Sequence, residues 1–339
     1  MGDYKDDVKG IDTENPNCVN RNKALVFGAA VIDVGFELSE DHTPRPDAST
    51  QAEDITVTPG GKGLAQAVAL SRMGFEVSLA TVIGNKIFKS EMITSLLDAE
   101  GIDKTFVKTE GNEMTPITGV ITLSTGKSFA IGDKKEDELS FSTGDIDKYF
   151  NENEVEKFGF VLITYELPIL IIEKILTKLD DEKYGETIVI VTPAPPVPYN
   201  KRFDAYYRVN YLVAKEWEAK KMLGGSADTS DPQDLLSGLN NIGIECACLT
   251  TDYNVYIKEA SKNVVEAKRL ATTRKGTNWE RDVFCAALAY ILKTDKSFSK
   301  DSMDFMVAAM GWSNQQKKGF EALPTVEEVN SFIKRRFKN

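Results

Sequence analysis

Histidine is almost missing: His42 is the one imidazole in 339 residues. Any acid–base chemistry must then run on carboxylates, lysines or tyrosines. Cysteine is scarce as well, with Cys18, Cys246, Cys248 and Cys285. Cys246 and Cys248 fall on the same face of one apolar stretch. No second Cys or His cluster completes a zinc set, so buried reduced thiols are expected and no metal bound directly by the protein. No apolar run reaches the ~20 residues of a membrane span. Positive charge is in deficit, 41 Lys and Arg against 52 Asp and Glu, for a net charge of −11. That balance disfavours nucleic acid and anionic membranes as partners. The basic cluster Lys334, Arg335, Arg336 and Lys338 reads as the exposed face of a terminal helix. No fixed-period repeat is visible. The opening, MGDYKDDVKGIDTENPN, is unlike a secretory or mitochondrial leader, and a cytoplasmic setting is expected.

What the chain does have is a strand–helix alternation around a large apolar complement, 42% of its residues. Residues 1–22 read as a flexible arm, and 23–339 as one α/β domain. Lys23 to Val34 reads as a buried first strand with Gly28 at its exit. Strands at 76–84, 158–165, 187–192, 211–214 and 245–250 alternate with helices, including 89–102, 170–179, 282–293, 302–314 and 326–338. That rhythm implies a mostly parallel sheet with helical crossovers. Two polar stretches of short strands, about 36–58 and 105–132, stand apart from it.

The stretch TPGGKGLAQAVALSRMG, residues 58–74, combines Gly60, Gly61 and Gly63 with Lys62 at the start of a helix rich in small residues. Glycines at a helix entrance let a ligand approach backbone N–H groups, and Lys62 adds a compact cation there. A tight turn with Lys62 in solvent explains the same residues, and both readings stay open. Asp33 lies at the end of the first strand, where ligands gather in α/β sheets. It reads either as a hydroxyl acceptor or as a turn cap. No G-x-G-x-x-G follows that strand, which removes a nicotinamide dehydrogenase from consideration.

From about Lys23 to Lys334 the chain resembles the ribokinase/PfkB family of carbohydrate and nucleoside kinases. The resemblance rests on Gly61-Lys62-Gly63 and Gln66, Thr118-Gly119, Glu166, Pro193-Ala194-Pro195 and the Asp282-Val283-Phe284-Cys285 helix start. It implies a ribokinase-like three-layer α/β/α sandwich with a mostly parallel central sheet and a small β lid, formed by 36–58 and 105–132. It also implies Asp282 as catalytic base, with Asp33, Gly61, Lys62, Gly63 and Glu166 around the substrate. On the nucleotide side it places Glu218, Arg281 and Gly319, with Mg-ATP as cofactor and Glu218 reaching magnesium through water.

The departures cluster on that side. The family's glycine–any–glycine before the catalytic Asp is Trp279-Glu280-Arg281 here, and its first Asp is Gly276. The Asn of its Asn-x-x-Glu motif is Lys215, and a glycine-rich turn is replaced by Thr251-Asp252-Tyr253-Asn254. On the sugar side, Val31 and Ala65 stand where the family has Asn. Glu280 beside a triphosphate would be repelled by ~4 kcal/mol per charge pair at close range. Two functions follow: a catalytically impaired homologue serving as a ligand-binding or structural subunit of a larger assembly, or an active sugar or nucleoside kinase. Expected partners are a small sugar or nucleoside, other proteins, or a second copy through the lid.

Overall fold

The computed structural model describes residues 19–39, 46–47, 49–86, 90–124, 128–133, 139–152, 155–198, 204–224, 231–270, 279–294, 297–316 and 319–336. Cys18, His42 and Gly276 lie outside them, as does most of the arm expected over 1–22. In chain order the elements are β1 (Asn20–Phe27), β2 (Val31–Leu38), β3 (Asp54–Gly60), α1 (Lys62–Arg72), β4 (Glu76–Gly84), α2 (Ser90–Ala99), β5 (Val107–Glu110), β6 (Ile117–Leu123) and β7 (Ser128–Gly132). There follow α3 (Thr143–Glu152), β8 (Phe158–Thr164), α4 (Ile169–Leu179), β9 (Ile188–Thr192), β10 (Tyr211–Lys215), α5 (Glu216–Met222), α6 (Pro232–Asn241) and β11 (Cys246–Thr250). The chain closes with β12 (Asn254–Glu259), β13 (Val265–Lys268), α7 (Glu280–Thr294), α8 (Lys300–Ser313) and α9 (Val326–Arg336).

Among the described residues these strands form two sheets. The larger has nine strands in the order β13-β12-β11-β10-β9-β8-β1-β4-β5. It is parallel from β11 through β5 and antiparallel only at β12 and β13. Its strands are apolar on both faces because helices cover both. Alternate residues of β1 show the division: Ala24 and Val26 join the core with α1, α2, α7, α8 and α9, while Leu25 and Phe27 join the core with α3 to α6. The chain is therefore a three-layer α/β/α sandwich, as expected.

The second sheet has the order β3-β2-β6-β7. Two expectations change here. The first strand is not continuous from Lys23 to Val34: it breaks at Gly28-Ala29-Ala30, and Asp33 belongs to the small sheet. Gly28 forces that break to be tight, since a Cβ there would sit 2.5 Å from Thr164 Oγ1 and 2.6 Å from Gly63 Cα. Likewise β5, read from sequence as part of the lid stretch 105–132, pairs in parallel with β4 of the large sheet.

Side-chain alternation gives the small sheet two unlike faces. Asp33 lies opposite Thr58 on one side and Thr118 on the other, a polar row across three strands. The opposite face carries Ile55, Phe36, Ile121 and Phe129 in one row and Val57, Val34, Gly119 and Ile131 in the next. Near the body this face merges with the main core through Ile32, Val57 and Ile117. Farther out, Ile55, Phe129 and Ile131 are 60%, 56% and 63% exposed.

Candidate functional site

The entrance of α1 is shaped by close packing. Gly61 stands at φ +98°, in the left-handed region that favours glycine, and a Cβ there would lie 2.4 Å from Ala29 O. A Cβ at Gly63 would lie 2.5 Å from the Gly28 carbonyl carbon. The gap these glycines leave is filled from inside the protein, by Glu166. One of its oxygens accepts from Lys62 N at 2.8 Å and Lys62 Nζ at 3.2 Å. The other accepts from Ala29 N at 3.2 Å, Gly63 N at 3.1 Å and Thr164 Oγ1 at 2.9 Å. Five donors saturate the roughly four lone-pair directions of a carboxylate. Glu166 thus caps the α1 start and ties it to the β1–β2 break and to β8. Its charge holds the Lys62 ammonium above the usual lysine range, and that side chain stays 35% exposed. Asp33 packs over the same loop: a Cβ on Gly60 would lie 2.2 Å from its carboxyl carbon.

The second element of the site is the first turn of α7, a helix that packs beside α1 in the same core. This pairing brings Asp282 against Gln66, whose amide donates at 3.0 Å to Asp282 Oδ1 and at 3.1 Å to Thr192 Oγ1. Thr192 in turn meets Cys285 Sγ at 3.4 Å. Asp282 is fully buried, and both its Oδ2 and Gln66 Oε1 lack a partner among the described residues. Burial pushes the Asp282 carboxyl up to about 6, against the opposing pull of Arg281, Gln66 and Lys62. Burial likewise raises the Cys285 thiol to about 12, so it is protonated and inert at neutral pH.

Arg281 turns the other way. Its Nη1 is bonded to both carboxylate oxygens of Glu218, and both side chains are buried. Glu218 also accepts from Lys215 N at 2.8 Å, closing the start of α5. Burial alone would weaken the guanidinium's charge, but the Glu218 and Asp282 carboxylates outweigh it and raise its pKa. Glu280 is bonded to Arg269 and to Asn314. Arg269 also donates to Thr251 O at 2.7 Å. The repulsion expected from Glu280 is therefore largely met by a neighbouring cation. Trp279 lies against Phe320, ring centres 5.5 Å apart, beside Gly319. The residues between β10 and α7 border a cavity of about 510 Å³ that includes Lys215, Trp217, Tyr253, Arg269, Glu280 and Arg281 in its wall. Of the expected site residues only Arg281 is in that wall. Gly61, Lys62, Gly63 and Glu166 meet at the start of α1. Glu218 meets the neighbouring start of α7 through Arg281, and Asp282 in that start meets α1 through Gln66.

The profile of the pfkB family carbohydrate kinases matches residues 21–325. The chain belongs to the PfkB family. It is 24% identical over 316 residues to a ribokinase of Haemophilus influenzae, covering 92% of this chain and 99% of that one. A deoxyribokinase of Salmonella typhi is 25% identical over 327 residues, with 91% and 97% covered. Among solved structures, an Arabidopsis thaliana ribokinase complexed with ribose and ATP superposes with a TM-score of 0.77 at 20% identity, covering 92% and 99%.

Against this PfkB frame, a nucleotide and its magnesium fit differently. The cavity falls within the ~300–1,000 Å³ range of small-molecule sites. Magnesium does not fit at Glu218, because Arg281 and the Lys215 amide already occupy that carboxylate. Among the described residues no three Cys, His, Asp or Glu side chains converge as a metal site. No described helix is long and apolar enough to cross a membrane. Sequence reading missed the roles of Arg269, Asn314 and Thr164, which carry no local pattern. Gln66 did leave a signal, as an amide inside the apolar run LAQAVAL.

Proposed function

We propose that this PfkB-family chain binds a small polyol, a sugar or nucleoside, beneath its lid, and that phosphoryl transfer in it is impaired. On this reading it acts as a ligand-binding or structural subunit of a larger assembly. The observation that carries the reading is the buried Arg281–Glu218 pair, which ties the first turn of α7 to α5 and engages the carboxylate expected on the magnesium side. The ligand's hydroxyls would meet Asp33 with the Thr58 and Thr118 row, and Lys62 from the loop below. Gly61 and Gly63 would hold the loop's close packing, and Glu166 would act by fixing it. Ribose is the first probe, because one structural relative is a ribokinase complexed with ribose and ATP. Calorimetry should register ribose binding, while ATP with magnesium gives a dissociation constant in or above the millimolar range, about 4 kcal/mol weaker than a micromolar site. Turnover near the ~1 s⁻¹ lower range of kinases would refute the impaired reading.

One observation favours the second reading, an active ATP-dependent sugar or nucleoside kinase. Asp282 has one unpartnered oxygen and a pKa raised to about 6, which suits a general base. Arg281 would then supply charge near the phosphates, with Gly319 outside the cavity wall. Under this reading Asp282→Asn abolishes turnover without unfolding the chain.

A second copy of the chain is the proposed cover for the lid's apolar face. Two such faces offer each other like side chains, as a twofold contact requires. Replacing Phe129 and Ile131 with Asp should turn a dimer into a monomer on a sizing column with light scattering. A monomeric parent at micromolar concentration would reject that contact.

A further inference from the structure

Magnesium and a guanidinium compete for the same thing at Glu218, and the guanidinium is already in place. Both Glu218 oxygens face Arg281 Nη1, and one also accepts from the Lys215 amide at 2.8 Å. Magnesium needs a near-octahedral shell of oxygens and usually keeps several of its waters. Three donor contacts already take most of the roughly four lone-pair directions of this carboxylate, and its burial leaves no room for that shell. Arg281 also borders the 510 Å³ cavity, together with Lys215 and Arg269. Its Nε is buried and has no acceptor among the described residues. A donor left over on a buried cation suits an anionic oxygen, for which guanidinium groups have both charge and geometry.

We propose that this cavity takes the phosphate oxygens of a nucleotide without a divalent cation, Arg281 supplying from within the fold the positive charge that a metal would bring. The proposal rests on the reading of the cavity as the nucleotide side of a PfkB fold. It goes beyond impaired transfer, since it fixes how any phosphate ligand responds to metal. Lys215 and Arg269 would add to the field, although Arg269 already serves Glu280. A single guanidinium carries half the charge of magnesium, so weak binding with strong salt dependence is expected.

The test is calorimetric titration of the full chain with ADP at low ionic strength, once with magnesium chloride and once with EDTA. The expected result is binding in both, with affinities within about twofold. A gain of about tenfold or more with magnesium overturns the proposal while leaving the nucleotide reading intact. No ADP binding in either buffer even at ~10 mM ADP and low ionic strength overturns the nucleotide reading and the proposal with it. Arg281→Met supplies the converse. With Glu218 vacated, its ADP affinity should become magnesium-dependent by about tenfold, and a folded variant without that gain overturns the proposal. Should Arg281→Met show no cooperative melting transition in EDTA, magnesium but not sodium chloride of equal ionic strength should restore one. Failure to restore it also counts against the proposal.

Discussion

The starts of α1 and α7 lie side by side in the same layer, yet they are satisfied in opposite ways. At α1 the backbone N–H groups point at one carboxylate, Glu166, and glycines make room for it. Charge and hydrogen bonding are met together, with Lys62 completing the balance. At α7 three consecutive side chains leave for four different neighbours. Glu280 goes to Arg269 and Asn314, Arg281 to Glu218, and Asp282 to Gln66. Two buried atoms of that turn, Arg281 Nε and Asp282 Oδ2, are left without partners among the described residues. The first entrance is a finished joint. The second retains unmet demand, and unmet demand in a buried place is what a ligand can answer.

The largest effect should come from breaking the second entrance at its buried pair. Arg281→Met leaves Glu218 charged and unpaired, and urea unfolding in EDTA should show a loss of about 3–5 kcal/mol. A loss under 1 kcal/mol would mean that Glu218 finds another partner and the pair is not what closes α7. The same arithmetic warns against opening the phosphate side by replacing Trp279, Glu280 and Arg281 with small residues together, since that variant also orphans Glu218.

Asp282→Asn should act in the opposite direction. The folded state holds the Asp282 proton more tightly than the unfolded chain, about 6 against 3.8. The stability this brings is fully present below about pH 4 and lost as pH rises through 6. At neutral pH the charged, buried group therefore weakens the fold by up to about 3 kcal/mol. The amide variant should be more stable than the parent near neutrality, by up to that amount, with the gain shrinking toward pH 4. A pH-independent difference would show that burial does not govern this carboxyl. The helix-start dipole, worth about 0.3–1 kcal/mol, is too small to reverse the sign.

On the α1 side the comparison sharpens through ligand rather than fold. Asp33→Ala should cost roughly 1.5–3 kcal/mol of ribose affinity, read by calorimetry, with little change in melting temperature. Unchanged affinity would move the polyol away from the Asp33, Thr58 and Thr118 row. The smallest effect belongs to Glu280→Gln, a partly exposed pair, where about 1 kcal/mol or less of stability is expected in thermal melts. A loss comparable to that of Arg281→Met would erase the distinction drawn between the buried and the rim pair.

The layered fold was legible in the sequence because its signals are local. Apolar runs punctuated by Gly and Pro gave most of the strands and helices to within a few residues. The break at Gly28 was not, because Ala29 and Ala30 continue the apolar run and only the contact with Gly63 and Thr164 reveals the turn. The sheet membership of β5 was hidden for a similar reason, since pairing partners are distant in sequence. In the site, Lys62 and Asp282 announced themselves through their motifs. The fates of Glu166, Glu218 and Arg281 did not, because a carboxylate's availability depends on what has already bonded to it. A spacing pattern records position but not occupancy.

The Arg281–Glu218 pair also shapes which neighbouring sequences are reachable. Substituting either residue alone passes through a chain with one buried, uncompensated charge, costing several kcal/mol against a total stability of about 5–15 kcal/mol. Replacing both at once avoids that state but requires two coordinated changes in segments 63 residues apart. The pair therefore works as a ratchet: once the guanidinium is seated, random single substitutions tend to retain it, whether or not anything is phosphorylated in the cavity beside it.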